Sequence, residues 1–396
     1  MTQTEPSLWK RIIKALAWVA LLVAFIIGQI ASQTDYDALL QQQMPDVKIK
    51  RSDINTELPV VYHIEADKKQ VFDALVMAEG TGYGGPLIVA VKARRTDDGA
   101  NLNEIIVLSH KETPAFMDRI NQRFFRQFSG KSVTDNFIVD DDIDSVSGAT
   151  VSAKGFTSAI RAAIHLGAVQ HLKLPVTWQE PAWKVGMNEI ILVVLFALAF
   201  YGAYQKGKIA KYVRLFVMLA SIAFVGFYAN ASVSLGNIAG IFMGYIPSLR
   251  EFPLWWIMMT GMLGSVVFLG RNIYCQQICP FKGVQDVLQK ISGVKLRIDM
   301  KFQRRASTLI YSLSWVALML IFLSTHPALG SYEPFAMMFS LDGLGIQWYI
   351  LPATILGSFF VPSFWCRLFC PVGLYLNEMV SFRRAITQRI FGKESK

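Results

Sequence analysis

The stretch IIKALAWVALLVAFIIGQIA, residues 12–31, contains one charge, Lys14, in twenty residues. A helix of that length rises about 30 Å, the thickness of a bilayer's hydrocarbon core. Comparable apolar runs lie near 187–204, 213–230, 253–270, 307–325 and 348–365, so six crossings are expected. Apolar residues make up 53% of the chain and charged ones 17%, too apolar a balance for an ordinary soluble protein. Between the first and second runs, residues 32–185 contain no such stretch and have the size of one soluble domain. The expected organisation is an N-terminal transmembrane anchor at 1–31, a soluble domain at 32–185, a five-helix membrane domain at 186–370 and a basic tail at 371–396. The basic start and the sequence QIAS also fit a cleavable signal peptide. Either reading exports the domain that follows.

Charge fixes an expected orientation. Residues 32–185 hold 17 Lys/Arg and 20 Asp/Glu, whereas the rest of the chain holds 22 basic and 9 acidic residues. Basic residues near span ends mark the cytoplasmic side. The clusters Lys10–Lys14, Lys206–Arg214, Arg271–Arg305 and Arg367–Lys396 all fall inside if the N-terminus is cytoplasmic and the chain crosses six times; Arg250 alone falls outside. The domain at 32–185 is then extracytoplasmic and both termini are cytoplasmic. The excess basic charge reports orientation and membrane lipid, with no call for nucleic acid.

The soluble stretch mixes strand and helix signals, which defines an α+β domain. PLIVAVKAR (86–94) and EIIVLSH (104–110) read as paired strands around a turn at Asp98-Gly99. TPAFMDRINQRFFRQF (113–128) reads as one amphipathic helix, DNFIV (135–139) as a short strand, and AKGFTSAIRAAIHLGAVQHL (153–172) as a helix. DSVSGATVSA (144–153) opens that last helix. Ser or Thr there serves as an N-cap, or else Gly148, Ala149 and Thr150 leave a helix N-terminus open to a phosphate.

All four cysteines fall in two copies of Cys-x-x-x-Cys-Pro: YCQQICPF, with Cys275 and Cys279, and WCRLFCPV, with Cys366 and Cys370. The i, i+4 spacing puts both thiols of a copy on one helix face, and the proline ends or breaks the helix. Two half-sites supply four thiolates, enough for an iron–sulfur cluster or a lone iron or zinc ion; four buried unliganded thiols are the alternative. The copies lie 91 residues apart, each after an aromatic-rich run, which suggests an internal repeat with a pseudo-twofold axis. His326, near the outer end of the fifth run, is the single histidine of the membrane half and a candidate for quinone or haem contact.

Asp144-Ser145-Val146-Ser147-Gly148-Ala149-Thr150 resembles the flavinylation motif of the FMN-binding domains in NqrC and RnfG subunits of respiratory sodium pumps and in NosR. GTGYGGPL (80–87) and HKETPAF (110–116) are similar to two further segments of that family, with Ala115 where glycine is usual. The resemblance implies FMN joined by a phosphodiester bond to Thr150 by a flavin transferase, with Asp144, Ser147, Gly148 and Ala149 around the attachment point. It also implies that Tyr83, Gly84 and Gly85 line the flavin and that Glu112 and Thr113 lie near its ring. The membrane half resembles NosR, NapH and PceC. No Cys-x2-Cys-x2-Cys-x3-Cys run follows the last apolar stretch, so the shorter PceC type is the nearer likeness.

These readings imply an electron-transfer component of the inner membrane. It would take electrons from the quinone pool or a cytoplasmic donor and pass them, through the cysteine centre and FMN, to an extracytoplasmic terminal reductase. A redox-sensing regulator or an assembly factor for a partner metalloenzyme is the alternative. No nucleophile–base–acid constellation argues for hydrolysis or group transfer.

Overall fold

The computed structural model describes residues 8–32, 35–45, 47–52, 58–65, 73–112, 114–146, 149–179, 185–294, 296, 298–340 and 346–391. The chain forms two compact units: Met1–Ala182 with Ala239–Pro247 and Leu318–Gly330, and Trp183–Ile238 with Ser248–Ala317 and Ser331–Lys396.

The first unit opens with α1 (Leu8–Ala31) and α2 (Tyr36–Gln43). The α1 helix keeps most of its apolar side chains exposed, with Leu16, Trp18, Leu22 and Ile30 all more than half accessible, as a lipid-facing helix does. Asp35 caps α2 by accepting from Ala38 N at 3.0 Å. Five strands follow, β1 (Lys48–Arg51), β2 (Val60–Glu65), β3 (Ala74–Thr81), β4 (Pro86–Thr96) and β5 (Gly99–His110), and pair in sequence order as an antiparallel meander.

Side-chain alternation builds a core on each face of this sheet. Val76, Ala78, Leu87, Val89 and Val91 point to one side, where α3 (Pro114–Arg119), α4 (Gln122–Arg126) and α5 (Thr150–Gln170) contribute Phe116, Phe124, Phe156 and Ile160. Leu75, Met77, Ile88 and Ala90 point to the other, against Leu40 and Met44 around α2. A one-residue slip of β3 or β4 would exchange the two sets, so the register is strongly specified.

Three local expectations are corrected. The hairpin loop consists of Asp97 and Asp98, with Gly99 at φ +148° already paired to Thr96. The helix expected over 113–128 breaks into α3 and α4, because Asn121 turns extended and accepts from Arg123 N at 2.9 Å. Asparagine bonds to its own neighbouring backbone more readily than it continues a helix. The strand expected at 135–139 does not form. The Asp142 carboxylate takes the backbone N–H groups of Phe137 and Ile138 at 2.9 and 2.5 Å, leaving one isolated bridge between Val139 and Ile143.

The remaining chain is mostly helical. It runs through α6 (Met187–Tyr204), α7 (Lys208–Ser221) with a π-helical extension over Ile222–Tyr228, α8 (Leu235–Phe242), α9 (Pro253–Val267), a π-helical turn at Tyr274–Ile278, α10 (Pro280–Ser292) and α11 (Met300–Ser324). A 3-10 turn at Pro327–Gly330 leads to α12 (Phe335–Ser340), α13 (Gln347–Phe360), α14 (Phe364–Leu368) and α15 (Pro371–Phe391). Among the described residues four helices are long and apolar enough to cross a membrane: Ile12–Ala31, Met187–Tyr204, Lys208–Tyr228 and Lys301–Ser324. The other two expected spans are shorter. The 15 residues of α9 and the 14 of α13 rise only about 22 Å each. Both stop where the backbone leaves the helical region, at Gly270 with φ +62° and at Val361 with an extended backbone.

Close helix–strand approach fixes α5. A Cβ on Gly155 would stand 2.6 Å from Thr81 O, and one on Gly80 would stand 2.4 Å from Gly155 O. Gly155→Val is therefore expected to destabilise the full-length protein by about 1–3 kcal/mol. Thermal unfolding in detergent is the measurement.

Candidate functional site

Thr150 is the first residue of α5 and is exposed. The cap reading of its hydroxyl does not hold. The N-cap is Ala149, with no side-chain hydrogen bond, and Thr150 Oγ1 instead donates back to Val146 O at 3.4 Å. Among the described residues, the start of this 21-residue helix therefore has no side-chain cap, and a hydroxyl stands beside its first N–H groups. An anion is favoured at such a position. Asp144 is exposed, and its N–H donates to Gln127 Oε1 at 2.8 Å. Ser147, Gly148 and Thr113 lie outside the described residues.

The segments around 82–85 and 112 meet α5 through one buried carboxylate. Glu112 is 1% exposed. Its Oε1 accepts from Gly84 N at 3.2 Å and its Oε2 from Ser152 Oγ at 2.6 Å. The resemblance implies a place near the flavin ring; both Glu112 oxygens hold the glycine segment against the first turn of α5. Gly84 is required by close approach, since a Cβ would fall 1.9 Å from Lys111 O, and Gly85 adopts φ +135°. Tyr83 packs edge-on against Phe116 with ring centroids 5.0 Å apart. Ser152 escaped the sequence reading; its signal is a position one turn inside the helix that follows the motif.

Burial raises the Glu112 carboxyl above its ordinary value, opposed in part by bonds from Ser152, Gly84 and Tyr83. The folded chain thus holds this proton more tightly than the unfolded chain. Stability is full below the ordinary glutamate value and falls as pH rises toward the raised one. Glu112→Gln is expected to flatten that fall, as read from melting midpoints over about pH 4 to 8. Glu112→Ala leaves Ser152 Oγ and Gly84 N without their acceptor and is expected to cost about 1–3 kcal/mol.

The second unit builds the cysteine half from two equivalent pieces. A short apolar helix (α9 or α13) ends in a backbone break. A single helical turn carries the first cysteine, Cys275 at Tyr274–Ile278 or Cys366 on α14. The second cysteine, Cys279 or Cys370, precedes a helix that opens on proline, α10 or α15. Proline suits that first position because its missing N–H has no helical partner to lose.

The pieces exchange partners reciprocally. Asn272 Nδ2 donates to Asn377 Oδ1 at 3.1 Å, and their counterparts 91 residues away, Ser363 and Asp286, are bonded at 3.4 Å. Arg383 Nη2 donates to Phe268 O at 2.7 Å; the counterparts Ser292 Oγ and Phe359 O are bonded too. Accordingly α10 packs on α13 and α15 on α9. Each helix that follows one motif is held by the helix that precedes the other, as a pseudo-twofold axis requires.

This exchange brings the two cysteine motifs side by side, through the Asn272–Asn377 bond and a contact from α10 to Cys366. Gln285, 2% exposed and on α10, donates from Nε2 to Cys366 Sγ at 3.3 Å and accepts from Trp365 N at 2.9 Å. Gly373 N donates to Cys370 Sγ at 3.4 Å. Trp365 packs with Phe281, Tyr332 and Phe369, an aromatic wall beside the second motif. Among the described residues no three Cys, His, Asp or Glu side chains converge on a single ion. Two neighbouring pairs of cysteines, with N–H groups directed at Cys366 and Cys370, are the donor set a cluster held by four thiolates would need.

These two constructions match known domains. A family model described as an FMN-binding domain matches residues 82–165, and one described as a 4Fe-4S binding domain matches 251–299 and 348–388. The chain thus combines matches to an FMN-binding domain and a 4Fe-4S binding domain with four helices long and apolar enough to cross a membrane. It is 23% identical over 216 residues to "Regulatory protein NosR" of Pseudomonas aeruginosa, covering 50% of this chain and 30% of that protein. It is 24% identical over 237 residues to "Protein NirI" of Paracoccus denitrificans, covering 54% and 35%, and 22% identical over 239 residues to the NosR of Stutzerimonas stutzeri, covering 55% and 33%. The match spans about a third of the length of these relatives. Over about half of its length the chain is similar to these NosR and NirI proteins.

Gln285 has Leu376 as its counterpart, so it acts on one side of the pseudo-twofold only. A hydrogen bond to a cluster thiolate stabilises the reduced state. Gln285→Leu is expected to lower the reduction potential of the centre without loss of iron. Potentiometric titration followed by electron paramagnetic resonance, with iron analysis alongside, checks this.

Proposed function

We propose that the chain is a membrane electron-transfer flavoprotein that accepts electrons from the quinol pool, or from a cytoplasmic donor through the cysteine centre, and delivers them to an extracytoplasmic terminal reductase. FMN joined through a phosphodiester to Thr150 and an iron–sulfur cluster on Cys275, Cys279, Cys366 and Cys370 supply the exchange between electron pairs and single electrons when bound. This reading keeps six crossings of a bacterial inner membrane, with α9 and α13 as the short ones, both termini cytoplasmic, and boundaries near residues 31, 185 and 370. It requires a flavin transferase for maturation. Exposed Thr150, at a helix start with no side-chain cap among the described residues, supports attachment there.

One observation favours a quinol as donor. Beside the glycine segment and Glu112, the first unit gathers His110, Lys111, Tyr245 and His326. Lys111 Nζ donates to Thr325 Oγ1 at 3.1 Å and Tyr245 OH to Thr325 O at 3.2 Å. The Nδ1 atoms of His110 and His326 are buried without a hydrogen-bond partner among the described residues. Burial lowers both imidazoles, and Lys111 and His110 lower His326 further. Neutral imidazole nitrogens are the acceptors that the two protons of a quinol need.

A regulatory role is the second reading, favoured by the names of two relatives. Protein from cells with a flavin transferase is expected to give a fluorescent band on a denaturing gel, and Thr150→Val a dark one; a dark wild-type band removes the covalent flavin. A Thr150→Val strain with the partner reductase present but starved of electrons supports the carrier, and one lacking the partner protein supports the regulator. His326→Ala is expected to slow quinol oxidation about tenfold or more. An unchanged rate would sink the donor assignment.

A further inference from the structure

A cavity of about 470 Å³ opens beside the first cysteine motif, between the end of α9 and the face of α15. Its polar lining is Arg271, Asn272, Gln276, Asn377, Ser381 and Arg384. Both guanidinium groups lack an acidic partner among the described residues. Arg271 Nη1 donates to Ala203 O at 2.5 Å and its guanidinium sits over the Tyr204 ring at 4.4 Å; Arg384 Nη2 reaches Gly270 O at 3.5 Å. Two cations, three amides and a hydroxyl thus face one space that contains no carboxylate.

The internal repeat supplies a comparison within the same chain. The positions equivalent to Arg271 and Arg384 are Pro362 and Gly293, and the equivalent of Asn377 is Asp286, which is paired with Lys282. One side of the pseudo-twofold is therefore neutralised internally, while the other keeps two unmatched positive charges around a cavity. Shared architecture does not account for those charges.

We propose that this cavity is a binding site for a phosphate-bearing anion. Arginine forks match phosphate oxygens in pairs. The flanking sequence names the source: Phe268, three residues before Arg271, and Phe382, next to Ser381, are 78% and 69% exposed, an apolar surface that acyl chains would cover. The occupant is the headgroup of an anionic phospholipid. Asn272 ties it to the redox half, since its side chain lines the cavity and its Oδ1 accepts from Cys275 N at 3.0 Å.

The test uses full-length protein in nanodiscs of phosphatidylcholine with or without phosphatidylglycerol, followed by native mass spectrometry of the phospholipid retained after detergent extraction. Wild type is expected to keep one phosphatidylglycerol per chain. Arg384→Gln, which gives up only a long bond, is expected to reduce retention about tenfold, the effect of losing one charge-assisted contact, with an unchanged melting midpoint. Arg271→Gln combined with Arg384→Gln should abolish it. Equilibrium dialysis with inorganic phosphate separates the sources: phosphate that binds wild type, fails on the double variant and displaces the lipid assigns the site to a free phosphate compound. Equal retention of both lipids by wild type and the variants, with no difference in phosphate binding, overturns the proposal.

Discussion

Glu112 ties the glycine segment to the first turn of α5 where helix and strand already run close together. One oxygen takes the N–H of Gly84 and the other the hydroxyl of Ser152. A carboxylate this buried is tolerated only because its lone pairs are occupied. It positions the start of α5, and with it Thr150, against a glycine segment too crowded for any side chain. The second unit uses the same device at a different place. Gln285 has one amide nitrogen on a cysteine sulfur and its oxygen on the backbone of the same turn. In both units a side chain distant in sequence pins the residues expected to carry a cofactor.

The comparison between sequence and structure turns on how far each signal reaches. Apolar runs and strand alternation report local environment, so β4 and α6 were legible at close to their observed limits, whereas β5, α1, α7 and α11 begin four to seven residues earlier than their apolar runs suggest. Charge counting and the doubled Cys-x-x-x-Cys-Pro likewise need no third dimension. The failures involve side chains that intercept backbone hydrogen bonds. Asn121 ended a helix whose apolar spacing continued, and Asp142 took the N–H groups that a strand at 135–139 would have used. Ser152 and Gln285 were illegible for a related reason, because their partners lie 40 and 81 residues away. The shortness of α9 and α13 was also hidden, since hydropathy continues past the point where the backbone turns aside.

The repeat was legible as spacing but not as contact. Ninety-one residues separate the two motifs, and that number says nothing about which helix touches which. The structure shows α10 on α13 and α15 on α9, an exchange rather than two neighbouring hairpins. Asymmetry is then laid on the symmetric frame by single residues. Gln285 against Leu376 distinguishes the two sides near the sulfurs, and Arg271 with Arg384 against Pro362 with Gly293 distinguishes them at the surface.

Reciprocal exchange has a consequence for how such a frame assembles. Neither copy closes on itself, because the helix after each motif packs on the apolar helix of the other copy. A polypeptide with one copy would present an unsatisfied face identical to the face it needs, the condition for an isologous dimer. The chain as it stands is the covalent form of that dimer. Once the two halves share one polypeptide, identity between them is no longer enforced, and each sulfur pair is free to acquire surroundings of its own.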